Sequence, residues 1–147
     1  MPFSLPVKYY VNREKGWPKM QPKNDKEKRL SVLVVDDDQA LSKLVRHNLE
    51  ATGTEVIEAA SGFDCIRILR QAKVDLILLD IKLPDFSGWG ILSLVRLTEP
   101  LCHLPVIVIS VEPPNMPLMK QLKPDDYIQK PFDMRDLLVR VERIMGL

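Results

Sequence analysis

Short apolar runs that each end in a polar or charged residue constrain the fold of this chain more than any other feature. Residues 31–35 are followed by three aspartates, residues 76–79 by Asp80, and residues 106–109 by Ser110. Apolar runs of four or five residues are typical of strands that are buried on both faces. Because segments with helical spacing separate these runs, the order predicts a parallel sheet with helices on both faces.

The remaining segments complete five strand–helix units. Residues 55–59 and 127–129 predict two further strands. Asp38 is expected to cap the first helix and Gly53 to end it. The other helix signals are the recurrence of Leu41, Leu44, Val45 and Leu49, the N-cap Ser61 before Ile66 and Leu69, the segment 90–97, and inward-facing Leu137, Leu138, Val141 and Ile144. The sequence therefore predicts an α/β fold with a doubly wound, five-stranded parallel sheet.

The charge of the chain is distributed unevenly along its 147 residues. Residues 1–30 carry eight basic and three acidic residues, a charge of +5, whereas the rest carries 13 basic and 17 acidic residues, a charge of −4. Four prolines interrupt the basic segment, which predicts a largely flexible extension over residues 1–29 before a domain over 30–147, with a short strand near 8–11. This extension is the only candidate for nucleic-acid binding, which basic and aromatic residues alone do not favour.

Several classes of protein are disfavoured by what the sequence lacks. No apolar run approaches the roughly 18–20 residues that cross a bilayer, so membrane insertion is not expected. Cys65, Cys102, His47 and His103 are isolated in sequence, which argues against a disulfide scaffold and against thiolate or imidazole metal sites. Free thiols and the absence of a secretory signal predict a reducing, cytoplasmic location.

Polar side chains follow four of the predicted strands, where the carboxyl ends of a parallel sheet place them near one another. They are Asp36, Asp37 and Asp38, then Asp80, Ser110 and Lys130. Crowded carboxylates raise the proton affinity of at least one member unless a cation neutralises them, and Mg²⁺ suits an all-oxygen cluster. A carboxylate there can attack phosphorus to give an acyl phosphate, with the hydroxyl and the ammonium binding the phosphoryl oxygens.

Four motifs carry a specific resemblance to the receiver domain of two-component response regulators. They are VVDDD at 34–38, LLDIKLPDFSG at 78–88, VIS at 108–110 and DDYIQKPF at 125–132. The resemblance covers about residues 30–147. It implies a flavodoxin-like (βα)5 fold that is phosphorylated on an aspartate by a histidine kinase or a phosphotransfer protein and that then changes its binding to an output protein.

The resemblance also implies a role for each residue of these motifs. Asp80 is the implied phosphoacceptor; Asp36, Asp37, Asp80 and the backbone carbonyl of Lys82 are the implied Mg²⁺ ligands; Ser110 and Lys130 bind the phosphoryl group; Ser110 and Tyr127 form the switch; and the Lys130–Pro131 bond is cis. Asp38 is expected to cap a helix rather than to bind metal.

Two features depart from the family pattern at the mouth of this site. Val111 stands where the family has a small residue, and a β-branched side chain there is expected to narrow the entrance. Lys82 and Glu112 each lie two residues beyond a site residue. We expect these two side chains to pair across the mouth and to influence the lifetime of the phosphoryl group.

The segment between Ser110 and Lys130 departs further. Pro113, Pro114 and Pro117 prevent a regular helix from starting where the family has its fourth helix, and Lys123-Pro124 replaces the usual Gly-Ala pair. The sequence predicts a shortened or irregular fourth helix of at most two turns, near 118–122. A remodelled output face would follow, with doubtful dimerisation through that face.

Three functional hypotheses follow. The first is a phosphorylatable receiver, and the alternative is a phosphorylation-independent pseudo-receiver that acts by protein contact. An enzyme with true turnover at Asp80 is disfavoured, because Lys82 stands where a second acid would act as general acid and base. We therefore expect catalysis only of the chain's own phosphorylation and dephosphorylation. The sequence leaves open whether this is a single-domain regulator or a receiver from a longer protein.

Overall fold

The computed structural model describes residues 9–12, 17–20 and 29–146. Within the predicted extension, strand β1 (Tyr9–Asn12) pairs antiparallel with strand β2 (Trp17–Met20). The predicted strand near 8–11 is thus displaced by one residue. The flexibility expected for the other residues of 1–28 lies outside the described part of the chain.

Five strands alternate with five helices after the hairpin, as the apolar runs predict. Their bounds are β3 (Ser31–Val35), α1 (Gln39–Glu50), β4 (Glu55–Ala59), α2 (Gly62–Gln71), β5 (Leu76–Asp80), α3 (Gly88–Leu97), β6 (Val106–Ser110), α4 (Met116–Leu122), β7 (Asp126–Gln129) and α5 (Met134–Met145). Among the described residues, no helix is long and apolar enough to cross a membrane.

The five strands form one parallel sheet in the order β4-β3-β5-β6-β7. This is the flavodoxin-like order, and it confirms the predicted fold class. The strand order reverses between β3 and β5, where the chain leaves the two strands toward opposite faces of the sheet. Such a reversal opens a crevice at the carboxyl ends of those strands, and ligands of open α/β sheets bind in that crevice.

The core has two layers because side chains of a strand alternate between the two faces of the sheet. On one face Val32 and Val34 pack against α1 and α5, and on the other Leu33 and Val35 pack against α2, α3 and α4. The helix residues that complete the layers are Val45, Leu49, Leu137 and Val141 on the first face, and Cys65, Ile68, Ile91, Leu92, Val95 and Leu122 on the second. All of these residues are buried, so the strand ends are held rigidly.

The helix ends next to the crevice are capped by side chains. The Asp38 carboxylate accepts a hydrogen bond from the Leu41 N–H at 3.1 Å, which confirms its predicted capping role. Ser61 likewise caps α2. Gly53 was expected to end α1, but the helix ends earlier, with Ala51 as its C-cap. The left-handed φ of 87° at Gly53 belongs to the turn that follows.

The fourth helix is short, as the prolines predict, but it starts earlier than expected. Asn115 caps α4 through the Leu118 N–H, and Pro117 occupies the first turn, where its missing N–H has no intrahelical partner to lose. The helix spans seven residues rather than the predicted five. Lys123 ends it in the left-handed conformation, with φ of 50° and ψ of 60°.

The two cysteines are both free thiols. Burial raises the pKa of Cys65 to about 12, so this thiol stays protonated and acts as a small apolar core residue. Neither His47 nor His103 belongs to a metal-binding group within the described residues.

Candidate functional site

The Lys130 ammonium lies between two carboxylates at the crevice. Its Nζ is 2.7 Å from Asp36 Oδ2 and 3.0 Å from Asp80 Oδ2. Asp36 follows β3, Asp80 ends β5 and Lys130 follows β7, so three separate strand ends supply the cluster. Both aspartates are only 6% exposed. The convergence expected from the polar residues after the strands is therefore present in the structure.

The charges of this cluster do not balance. Burial raises the pKa of Asp80, the hydrogen bond from Lys130 lowers it, and the nearby negative charge of Asp36 raises it again, so the pKa stays above its ordinary value. Burial disfavours the charged Lys130, but its hydrogen bonds to Asp36 and Asp80 raise its pKa overall. One ammonium thus serves two buried carboxylates, and the site has room for further positive charge.

A third carboxylate completes an all-oxygen group. Oxygen atoms of Asp36, Asp37 and Asp80 lie within 4.8 Å of one another, and Asp37 is exposed to solvent whereas the other two are buried. Hard oxygen donors with an open side fit Mg²⁺, which keeps several of its waters. The Lys82 N–H donates to Asp80 Oδ1 at 3.1 Å, which places this residue beside the phosphoacceptor candidate. Coordination through the Lys82 carbonyl stays a prediction.

Ser110, Glu112 and Tyr127 are joined by hydrogen bonds on the other side of the site. Ser110 is fully buried at the end of β6, and its Oγ accepts from the Glu112 N–H at 3.2 Å. The Tyr127 hydroxyl donates to the Glu112 carbonyl at 2.7 Å. The tyrosine ring stacks on Trp89 with centroids 6.3 Å apart, and burial raises the pKa of its hydroxyl. The loop after β6 is therefore tied to both candidate switch residues.

The expected pair at the mouth of the site is present. Lys82 Nζ lies 3.4 Å from Glu112 Oε1, with the side chains 63% and 49% exposed. Exposed pairs of this kind contribute little to stability, about 0–1 kcal/mol. Val111 is half exposed and lines an apolar groove with Leu41 and Phe132 beside Lys130. Its expected effect on entry stays a prediction.

Asp85 is a site-supporting residue that the sequence alone does not identify. Its carboxylate accepts hydrogen bonds from the N–H groups of Gly62, at 2.8 Å, and of Phe63 and Phe86, each at 2.9 Å. It therefore binds the first turn of α2 to the loop that follows Asp80. Because Gly62 and Phe63 lie more than 20 positions away from Asp85, local helix-capping patterns cannot reveal these contacts.

Gly88 and Arg96 support the site from α3. A Cβ on Gly88 would lie 2.3 Å from the backbone oxygen of Asp80, so only glycine fits there. The Arg96 guanidinium binds the carbonyls of Leu104, Leu122 and Lys123 and, at 3.1 Å, the carboxylate of Asp125. Arg96 thus holds the end of α4 against the start of β7. The Lys130–Pro131 peptide bond is cis, as expected.

Comparison with known proteins identifies the class. A family model for the response regulator receiver domain matches residues 32–142. The chain belongs to this family. Receiver domains are signalling modules of two-component systems rather than enzymes in the usual sense; they bind Mg²⁺ at an acidic pocket and interact with histidine kinases or phosphotransfer proteins and with output partners.

Individual relatives fall into two groups by length. The chain is 31% identical over 118 residues to the polar-differentiation response regulator DivK of Brucella ovis, a match that covers 79% of this chain and 96% of DivK. It is 36% identical over 112 residues to the uncharacterized transcriptional regulatory protein YcbL of Bacillus subtilis, covering 75% of this chain and 48% of that protein. The chain spans about half the length of the curated transcriptional regulators it matches.

Solved structures give the same result for the fold. A CheY-like response regulator receiver domain protein from Methanospirillum hungatei JF-1 superposes with a TM-score of 0.75 at 29% identity, covering 80% of this chain and 94% of that one. The chemotaxis response regulator CheY4 of Vibrio cholerae superposes with a TM-score of 0.74 at 26% identity, covering 79% and 98%.

Proposed function

We propose that this chain is a phosphorylatable receiver that takes a phosphoryl group from a histidine kinase or a phosphotransfer protein onto Asp80. The observation that carries the proposal is the shared ammonium of Lys130, which holds the Asp36 and Asp80 carboxylates within 3.0 Å of one nitrogen atom. A buried carboxylate that keeps a cationic partner and an adjacent acidic pair has the composition of a phosphoryl-transfer site.

Asp36, Asp37 and Asp80, together with the Lys82 carbonyl, are the proposed ligands of Mg²⁺. When bound, Mg²⁺ supplies positive charge against the phosphoryl oxygens. The excess of carboxylates over ammonium groups supports this assignment, because one Lys130 does not neutralise three acids.

The reaction places a carboxylate oxygen of Asp80 on phosphorus, while the bond from phosphorus to the donor's imidazole nitrogen breaks and the imidazole leaves with the electron pair. Lys130 then pairs with a phosphoryl oxygen instead of the Asp80 oxygen that has become part of the acyl phosphate. The Ser110 hydroxyl can donate to another phosphoryl oxygen, because a hydroxyl that accepts a hydrogen bond, as Oγ does from the Glu112 N–H, still has a proton to donate.

Phosphorylation is proposed to change partner binding through the loop after β6. Movement of Ser110 toward a phosphoryl group would pull on the Glu112 N–H, and Glu112 is also bonded to Tyr127 and Lys82. Two packings of this loop would then have different populations in the two states. The partners are proposed to be a histidine kinase or phosphotransfer protein and an output protein, in the cytoplasm.

Intact mass spectrometry after incubation with a small phosphodonor and Mg²⁺ tests the proposal. We expect one added phosphoryl group on the wild type and none on Asp80→Asn or in the presence of a chelator. Asp37→Asn should lose most of the adduct, whereas the neighbouring Asp38→Asn, which changes only a helix cap, should keep it. No adduct on a folded wild-type protein, with no response to beryllofluoride, would favour the phosphorylation-independent alternative.

The mouth of the site gives a second test. If the Lys82–Glu112 pair partly covers Asp80, Glu112→Gln should change the dephosphorylation rate several-fold, since it removes the carboxylate but keeps the backbone bonds to Ser110 and Tyr127. An unchanged lifetime of the phosphorylated protein would contradict this role.

A further inference from the structure

The indole of Trp89 lies against the ring of Tyr127, one of the two candidate switch residues. The ring centroids are 6.3 Å apart and the ring planes are inclined by 24°, a stacked arrangement within the range that favours aromatic pairs. Both rings are partly buried and pack against the same core layer as Leu118 of α4. Trp89 therefore joins α3 to β7, and the function proposed above gives it no role.

The backbone of Trp89 is held in place next to the phosphoacceptor candidate. The Trp89 N–H donates to Ser87 Oγ at 3.2 Å. Gly88, the preceding residue, packs directly against the backbone of Asp80, and its N–H donates to the Ile81 carbonyl at 2.8 Å. The indole is thus attached to backbone that the end of β5 fixes, so it offers Tyr127 a rigid surface.

Tyr127 is held at both ends of its side chain. Its ring stacks on Trp89, and its hydroxyl donates to the Glu112 carbonyl at 2.7 Å. The Glu112 N–H in turn donates to Ser110 Oγ at 3.2 Å. Because a tyrosine ring and its hydroxyl move as one rigid unit, a ring that leaves Trp89 also carries its hydroxyl away from Glu112. The stack and the hydrogen bonds of the loop after β6 are therefore coupled.

We propose that Trp89 is a positioning residue for the switch, whose indole holds the Tyr127 ring so that the hydroxyl stays on the Glu112 carbonyl. The inference rests on the proposed function for what the switch does, whereas the contact between the rings does not depend on phosphorylation. An aromatic pair of this geometry changes an equilibrium about two- to tenfold. Trp89 thereby sets the population of the present loop conformation and, through Ser110, the affinity for a phosphoryl group.

Trp89 fluorescence tests whether the stack holds Tyr127. The chain has two tryptophans, so Trp17→Phe leaves Trp89 as the single reporter. In this background we expect Tyr127→Ala to shift the emission to longer wavelength and to increase acrylamide quenching, because the indole loses its cover. Tyr127→Phe is the matched control: it removes the hydroxyl but keeps the ring, so Trp89 should stay protected. A cooperative urea transition shows that each variant is folded.

Two outcomes of the quenching experiment would overturn the proposal. If Tyr127→Phe exposed the indole as much as Tyr127→Ala does, the hydroxyl bond rather than the stack would hold the ring. If neither substitution changed the quenching, Tyr127 would not cover Trp89 in solution.

Beryllofluoride binding with Mg²⁺, measured by calorimetry, tests whether Trp89 acts through Tyr127. We expect Trp89→Leu to change the Kd about two- to tenfold and Trp89→Phe, which keeps an aromatic ring, to restore most of the wild-type value. In a Tyr127→Ala background Trp89→Leu should have no further effect, since the ring through which it acts is absent. An unchanged Kd, or an equal change in both backgrounds, would show that Trp89 has only a structural role.

The two experiments separate this inference from the proposed function. If the wild type bound no beryllofluoride and gained no phosphoryl group, the proposed function would fail, and the quenching experiment, which needs neither, would still decide whether Trp89 holds Tyr127. If the wild type bound beryllofluoride but the quenching experiment failed, only the role of Trp89 would be refuted.

Discussion

At the residue scale, Gly88 is the position where the fold and the candidate site depend most directly on one another. A Cβ there would lie 2.3 Å from the backbone oxygen of Asp80 and 2.7 Å from the Cα of Ile81. Gly88→Ala should therefore destabilise the chain by about 1–3 kcal/mol and displace Asp80, because backbone must move to make room. Urea unfolding measures the first effect, and phosphorylation yield measures the second.

The matched substitution two residues later should act in the opposite direction. Gly90→Ala meets no described atom within 4 Å and should stabilise the chain by up to about 1 kcal/mol. Equal destabilisation by both substitutions would show that the close approach to Asp80 is not the cause of the effect at Gly88.

Asp85 is expected to make the stability of the chain depend on pH. Its slight desolvation raises the pKa of the carboxyl, but the hydrogen bonds from Phe63, Gly62 and Phe86 outweigh this and hold the pKa below its ordinary value. A carboxyl whose pKa is lower in the folded than in the unfolded state stabilises the folded chain at pH values above its unfolded-state pKa of about 3.9. This stabilisation is lost as the pH falls through the folded-state pKa.

Comparing Asp85→Asn with the wild type across pH tests this linkage. The variant should be less stable at neutral pH. The difference should begin to shrink below about pH 3.9 and vanish once the pH is below the folded-state pKa, where the wild-type carboxyl is also neutral. A difference that is independent of pH would mean that Asp85 acts through shape rather than charge.

At the element scale, α4 ends in a conformation that its sequence does not favour. Lys123 has a φ of 50°, which is costly for a residue with a Cβ and which glycine adopts freely. Lys123→Gly should therefore stabilise the chain by about 0.5–1 kcal/mol. Thermal or urea unfolding measures this change. Lys120→Gly, in the last turn of the same helix, should instead destabilise by about 1 kcal/mol, and stabilisation by both would contradict the argument.

The elements differ in how far the sequence predicts them. The sequence predicts all five strands of the parallel sheet to within one residue. The signal is continuous for β3, β5 and β6, which are buried along their whole length, whereas the edge strands β4 and β7 are only partly buried. The prolines predict that α4 is short, but its start at Met116 depends on the Asn115 side chain, which caps the helix by accepting a hydrogen bond from the Leu118 N–H. The end of α1 is also missed, because Gly53 belongs to the turn beyond the helix.

The residues of the candidate site also differ in how far the sequence predicts them. Asp36, Asp80 and Lys130 are predicted to converge because parallel strands place their carboxyl ends at one edge, and the structure brings them together. Asp85 and Arg96 are not predicted, since their partners lie on other elements and leave no periodic signal in the sequence.

At the scale of the whole molecule, the buried carboxylates that make the crevice reactive are also expected to lower the free energy of unfolding. Burial and the charge of Asp36 together hold the pKa of Asp80 above its unfolded value, despite the Lys130 hydrogen bond. A carboxyl whose pKa is higher in the folded than in the unfolded state destabilises the folded chain once the pH rises above its unfolded-state pKa of about 3.9. Asp80→Asn should therefore be more stable than the wild type at neutral pH without metal, and the gain should vanish below about pH 3.9.

Mg²⁺ should reverse this order, because it binds the folded state and supplies the charge that Lys130 alone does not. At a free concentration of 100 times Kd, binding stabilises the folded state by about 2.7 kcal/mol. The wild type should gain this stabilisation in unfolding experiments with added Mg²⁺, and Asp80→Asn, which lacks one charged ligand, should gain less. If Mg²⁺ stabilised both proteins equally, Asp80 would not contribute to the metal site. If the wild type were more stable than Asp80→Asn even without metal, Lys130 alone would compensate both buried carboxylates.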